Sequence, residues 1–150
     1  KLKNKEFDAI VLSLAGIEML NLGTEVKEIF KTEQMLPAIG QGAIALQCKK
    51  DDKKILDIIK KINNKETYYC IQAERALLEA IGGDCDTAIG GLAQLSNEKL
   101  SLKSQLFSND GSLFFEFESS GNFKEAQEIG YKVGNELLKK AGPNFTSQGN

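Results

Sequence analysis

IGGDCDTAIGG, residues 81–91, is the point at which helical spacing gives way to strand alternation, and it holds Cys85 among four glycines. Glycines let a backbone turn sharply and come close to another group with no side chain between. Two readings of the cysteine stay open on these residues. It is either incidental to a tight helix-to-strand connection or the attachment point of a covalent group. A thiolate is favoured beside cations or a helix N-terminus. Here Asp84 and Asp86 flank the sulfur and the preceding helix presents its negative C-terminal end, so both effects favour the neutral thiol. Such a sulfur is no standing thiolate catalyst, yet it suits one reaction with a strong electrophile followed by permanent anchorage.

After this loop the pattern is that of an antiparallel meander. Ala88 to Leu95 is strand-like, Ser96 to Lys99 is a polar turn, and Leu100, Leu102 and Leu106 alternate. Asn109 to Gly111, NDG, is a hairpin signal, after which Leu113, Phe115 and Phe117 alternate again. Asn122 with Glu125 predicts a capped helix carrying Ala126, Ile129, Val133 and Leu137 on one face, stopped by Gly142 and Pro143, with a frayed tail beyond. Before the loop, a helix over Glu66 to Ile81 places Cys70, Ala73, Leu77 and Ala80 on one face. Glu74 and Arg75 lie off that stripe and predict a surface or interdomain ion pair, Arg75 being within a turn of Glu79. Residues 66–150 thus read as an α+β module, three strands covered by helices on one face.

The earlier residues carry a different pattern. FDAIVLSLAG, residues 7–16, reads as a buried parallel-type strand followed by a helix, with the Ser13 to Gly16 corner where open α/β sheets bind ligands. Val26 to Gln34 is either a short strand or a turn. In LPAIGQGAIALQC, residues 36–48, Pro37 forces an extended entry, Gly40 and Gly42 leave backbone open around Gln41, and Ala43 to Cys48 reads as a second strand ending in a packed thiol. Asp51 and Asp52 start a helix bearing Ile55, Leu56, Ile58, Ile59 and Ile62. This α/β portion does not close by itself, which predicts part of a longer chain.

At 150 residues there is enough chain for a real core, about 70% of the unfolded surface being buried at this size. The net charge of −2 gives no sign of a nucleic-acid partner or an anionic membrane surface. No apolar run approaches the roughly 20 residues of a membrane span. The chain has no histidine, which excludes Ser-His and Cys-His nucleophile pairs and HExxH zinc sites. Its three cysteines, Cys48, Cys70 and Cys85, are far apart, so neither a metal site nor a redox dithiol is expected, and the odd count points to a reducing cytoplasm. Arg75 is the sole arginine among 19 basic residues.

FDAIVLSLAGIEMLNLG, LPAIGQGAIALQC with two aspartates following, AERALL and GGDCDTAIGG together resemble the C-terminal half of the porphobilinogen deaminase (hydroxymethylbilane synthase) family, in order and spacing over nearly the whole chain. That resemblance implies three domains, two like the lobes of periplasmic-binding proteins and a third carrying a thioether-linked dipyrromethane cofactor. By position, Cys85 is the attachment cysteine, and Ser13, Gly16, Gln41 and Gly42 face the pocket between the lobes. Residues 1–35 are the end of the second domain, 36–64 the return into the first, and 65–150 the third.

The implied enzyme is a cytoplasmic transferase, a monomer when full-length. It joins four porphobilinogen units to the cofactor, releases ammonia each time, and frees the linear tetrapyrrole of heme and porphyrin biosynthesis. The family's catalytic aspartate and most of its basic clamps belong to the N-terminal half, so these 150 residues alone are expected to be inactive. Three positions depart from the family pattern: Asp84 and Ala88 stand where Gly and Pro are usual, and Met19 stands in place of an arginine. Two other classes remain open from the residues. One is a non-catalytic small-ligand-binding module of periplasmic-binding type. The other is an interaction domain pairing through a sheet edge.

Overall fold

The computed structural model describes residues 1–84, 86–143 and 145. Two compact units divide the chain at residues 34 and 35.

The first unit, residues 1–34, holds short 3-10 turns at Leu2–Asn4 and Gly23–Glu25 and one helix, α1, Leu14–Met19. The strand expected over residues 7–16 does not form. Residues 7–13 have no ladder partner, Val11 is 61% and Leu12 63% exposed, and the helix begins at Leu14. The expected second strand is also absent: residues 43–49 are irregular, and Ile44 is 91% exposed. A parallel strand is held by its neighbours' hydrogen bonds, and among the described residues none flanks either segment. Apolar sequence supplied the propensity; the pairing partner is what is missing.

The second unit, from residue 35 onward, contains the core. Helix α2, Lys53–Ile62, begins where Asp52 accepts a hydrogen bond from Ile55 N–H at 3.1 Å. Its apolar stripe is only partly covered: Leu56 and Ile59 are half-buried, whereas Ile58 is 50% and Ile62 65% exposed. Helix α3, Lys65–Ile81, opens on Asn64, which accepts from Thr67 N–H, and ends in a left-handed Gly82. Three antiparallel strands follow in meander order: β1, Ile89–Ser96; β2, Lys99–Phe107; and β3, Phe114–Asn122. Asn97 and Glu98 both take positive φ in the two-residue turn between β1 and β2, the geometry that matches strand twist. Helix α4, Ala126–Ala141, is preceded by a 3-10 turn in which Asn122 accepts from Lys124 N–H. The cap is therefore made one residue earlier than the expected Asn122–Glu125 pair.

Period-two burial along β2 puts Leu100, Leu102, Ser104 and Leu106 toward the helices, against Leu77 of α3 and Val133 and Leu137 of α4. The two helices lie unusually close because α4 presents glycine where they cross. A Cβ at Gly134 would stand 2.6 Å from Ala80 Cβ and 3.0 Å from Leu77 O, and one at Gly130 would overlap Ala73 O. Gly134→Ala is therefore expected to destabilise by about 1–3 kcal/mol through overpacking, exceeding the roughly 1 kcal/mol that alanine adds as a helix former. A urea midpoint unchanged or raised in this variant would show that the helices can separate without loss.

Candidate functional site

The connection from α3 to β1 is held from both ends. Gly82 N–H and Gly83 N–H bond the last α3 carbonyls, Glu79 O and Leu78 O, each at 3.0 Å. At the other end Ile89 enters β1, and Phe107 N–H bonds Ala88 O at 2.9 Å. Between them, Thr87 is 8% exposed and its hydroxyl accepts from Asp84 N–H at 2.9 Å, while Asp84 Oδ1 accepts from Asp86 N–H at 3.0 Å and from the Thr87 hydroxyl at 3.4 Å. Side chains of Asp and Thr closing on nearby backbone stiffen such a turn. Gly83 is required by this closure, since a Cβ there would stand 2.8 Å from both Leu78 Cδ1 and Thr87 Oγ1. Cys85, the expected attachment residue, lies outside the described residues. Its neighbours Asp84 and Asp86 are exposed, and a Cβ at Gly82 would meet nothing within 4 Å.

Beside this loop runs the outer edge of β1. Every second N–H of an edge strand points away from the sheet and needs an acceptor. Gly91 N–H bonds Pro37 O at 2.9 Å, and an antiparallel bridge joins Ala38 to Gly90. Ala93 N–H bonds Glu74 Oε1 at 2.9 Å. The other Glu74 oxygen, Oε2, accepts from Gly40 N–H at 2.8 Å. Glu74, only 5% exposed, is thus not the surface ion-pair residue expected from its place beside the stripe. Its carboxylate closes a strand edge, where burial makes two donors necessary. Arg75 is exposed and has no ion pair among the described residues, and Glu79 instead accepts from the Tyr131 hydroxyl at 2.8 Å.

Burial pushes the Glu74 carboxyl above its ordinary value, and the Ala93 and Gly40 N–H groups only partly oppose this. Burial likewise pushes the Cys70 thiol up, with the charges of Glu74 and Glu66 adding and Leu95 N–H opposing. Cys70 is therefore a neutral packed thiol.

The other expected site residues fall in two places. In the first unit, Ser13 is the residue before α1 and makes no side-chain capping bond, and Gly16 lies within the helix; both are exposed. In the second unit, Gln41 and Gly42 occupy an exposed double turn. Gln41 N–H bonds Ala38 O, Ala43 N–H bonds Gly40 O, and Gly40 and Gly42 take φ of 76° and 83°. Beyond the Ala38–Gly90 bridge at its start, that turn is tied to β1 at Gly40 through Glu74. Sequence reading missed both Glu74 and Thr87. Glu74 lies four residues after Cys70, so helical spacing does place it beside the buried face, and Asp84 with Thr87 has the spacing of a side-chain-closed turn. An open concavity of about 730 Å³ at the Ser96–Lys99 end of β1, lined by Gln94, Asn97, Ser101 and Glu118 among others, is far along the strand from the loop. Among the described residues, no three metal-ligating side chains cluster, and no helix is long and apolar enough to cross a membrane.

Two family models match in tandem. The one described as porphobilinogen deaminase, dipyromethane cofactor binding domain, matches residues 1–57, and the one described as porphobilinogen deaminase, C-terminal domain, matches residues 68–139. The first interval holds Ser13, Gly16, Gln41 and Gly42, and the second holds Cys85, Glu74 and Thr87. The chain is 40% identical over 142 residues to a porphobilinogen deaminase of Coxiella burnetii (strain Dugway 5J108-111), covering 95% of this chain and 46% of that protein. It is 35% identical over 145 residues to one of Nitrobacter winogradskyi, covering 97% and 46% respectively. The chain therefore spans about half the length of the curated relatives it matches.

Two outcomes follow from this geometry. Thr87→Val strands the Asp84 N–H in a nearly closed site and is expected to cost about 1–2 kcal/mol in urea unfolding, whereas Thr87→Ser retains most of the stability; equal midpoints for the two variants would exclude the hydroxyl as the loop's clasp. For Glu74, the raised folded-state value means that the stability it contributes is full below the ordinary carboxylate range and is lost as pH rises through the raised value. The difference in unfolding free energy between wild type and Glu74→Gln should accordingly shrink as pH rises above the ordinary carboxylate range. A difference that grows with pH would mean that the two N–H donors outweigh burial.

Proposed function

Because the chain belongs to the porphobilinogen deaminase family, we propose that it is the C-terminal part of a hydroxymethylbilane synthase, a transferase acting on porphobilinogen with a dipyrromethane cofactor bound covalently through Cys85. The observation that carries this reading is the collinear match of two family domains along the chain, with Cys85 in the clasped connection between α3 and β1. On this reading residues 1–35 and 36–64 belong to two periplasmic-binding-like α/β lobes, and 65–150 form the cofactor-bearing domain.

The residues around position 85 fit a bulky attached group. Both flanking carboxylates are exposed, the space at Gly82 is open, and the turn is braced from within by Asp84 and Thr87 rather than by side chains that would occupy the outer side. Cys85 supplies the sulfur of the thioether and gives up its proton to solvent. A cysteine flanked in sequence by two acidic residues and by no cation suits a strong electrophile as partner, and the methylene left when ammonia departs from an aminomethylpyrrole is one. When bound, the dipyrromethane supplies the pyrrole on which the product chain is extended. Gln41 and Gly42 offer an amide side chain and open backbone to substrate, and Ser13 offers a hydroxyl, with Gly16 beside it, in their own unit.

Arg75 being the sole arginine, most of the clamps for the acetate and propionate groups of porphobilinogen come from the longer protein, and the 150 residues alone do not turn over. A reducing cytoplasm is the proposed location, on the odd count of widely spaced cysteines in the sequence.

Intact-mass measurement of the longer protein and its Cys85→Ser variant, both expressed in cells that make porphobilinogen, tests this. The expected result is an excess of two linked pyrrole units on wild type alone. Unmodified mass in both would leave a non-catalytic ligand-binding module, and turnover by the isolated 150 residues would refute their inactivity.

A further inference from the structure

We propose that Glu74 is a positioning residue: its carboxylate ties the turn carrying Gln41 and Gly42 to the edge of β1, and so holds that turn in register with the domain whose connecting loop bears Cys85. The inference rests on the reading that this turn meets the substrate. It starts from the hydrogen bonds around residue 40. Pro37 O and the Ala38–Gly90 bridge dock the incoming chain on β1, and the Ile39 side chain packs over Gly91, where a Cβ would stand 2.5 Å from Ile39 Cδ1. Those contacts hold Ala38 and Ile39, the first residues of the turn, and end before Gly40. Inside the turn, the bonds from Gln41 N–H to Ala38 O and from Ala43 N–H to Gly40 O set its shape but not its place. The bond that joins the turn itself to the helical module is Gly40 N–H to Glu74 Oε2 at 2.8 Å, and the opposite oxygen is spent on Ala93 of β1 at 2.9 Å.

A group whose only task was to fill this part of the core would be apolar, because a buried carboxylate is costly to desolvate. Two acceptor oxygens on one planar group are instead what two converging N–H donors need. An amide of the same size has one oxygen, so Glu74→Gln must leave one donor unmet. The strand edge is the more constrained of the two, Ala93 being paired with Leu102 across the sheet, so the turn is the partner that is released.

The test uses the full-length protein, with amide hydrogen exchange and steady-state kinetics measured on wild type, Glu74→Gln and Gly40→Ala. Gly40→Ala strains the turn from its own side, at φ 76° with nothing within 4 Å of the new Cβ. In Glu74→Gln, exchange at the Gly40 amide should quicken on the order of tenfold while amides of β2 stay protected as in wild type. Both variants should raise KM for porphobilinogen several-fold, with the attached mass unchanged and kcat within about twofold. Unchanged exchange at Gly40 would overturn the proposal. So would loss of β2 protection, failure of Glu74→Gln to fold, or a fall in kcat at constant KM, each of which makes Glu74 a core residue of the module and nothing more. If wild type does not consume porphobilinogen, the reading of function fails, and the exchange result still decides whether Glu74 holds the turn.

Discussion

A strand at the edge of a sheet exposes backbone donors that must be met, and β1 is that strand here. Its outward N–H groups at Gly91 and Ala93 are satisfied in turn by a carbonyl and a carboxylate. The carboxylate is a side chain of α3, so the helix covers the sheet and also helps close its edge. Glu74 is central to this arrangement because it alone uses both ends of a polar group. Its burial raises the cost of its charge, and the neighbouring N–H donors hold that cost down.

Closing the edge in this way depends on absent side chains. Gly90 lets Leu36 and Pro37 approach the strand, with a Cβ there 3.1 Å from Leu36 Cβ, and Gly91 leaves room for Ile39. On the other side of α3, Gly130 and Gly134 let α4 come close enough for Val133 and Leu137 to reach the leucines of β2. The same α3 is thus pressed between a docked segment and a second helix. Its C-terminal end, where Gly82 and Gly83 turn the chain, is correspondingly well placed.

The 82–88 connection combines a braced interior with an open exterior. Thr87 and Asp84 supply local hydrogen bonds that a run of glycines alone would lack, so permissive backbone does not become loose backbone. The attachment proposed at Cys85 calls for such a fixed base with free space outside. Exposed apolar residues on α2 and in residues 7–12, by contrast, mark segments whose packing partners are not among the described residues.

The α+β module was legible in the chain itself because its determinants are local: period-two leucines in β2, turn residues at Asn97 and Asn109 to Gly111, and helical spacing in α3 and α4. The glycine turns at Gly40, Gly42 and Gly82 could be picked out for the same reason, since glycine and turn chemistry are written residue by residue. Tertiary structure alone decided the rest. Phe7 to Leu12 and Ala43 to Cys48 have strand composition but no ladder, because pairing belongs to two segments at once and no propensity supplies the second. Glu74 looked like a surface acid for a similar reason. The donors that make its burial tolerable sit 34 and 19 residues away, at Gly40 and Ala93, and only the folded chain brings them to its two oxygens.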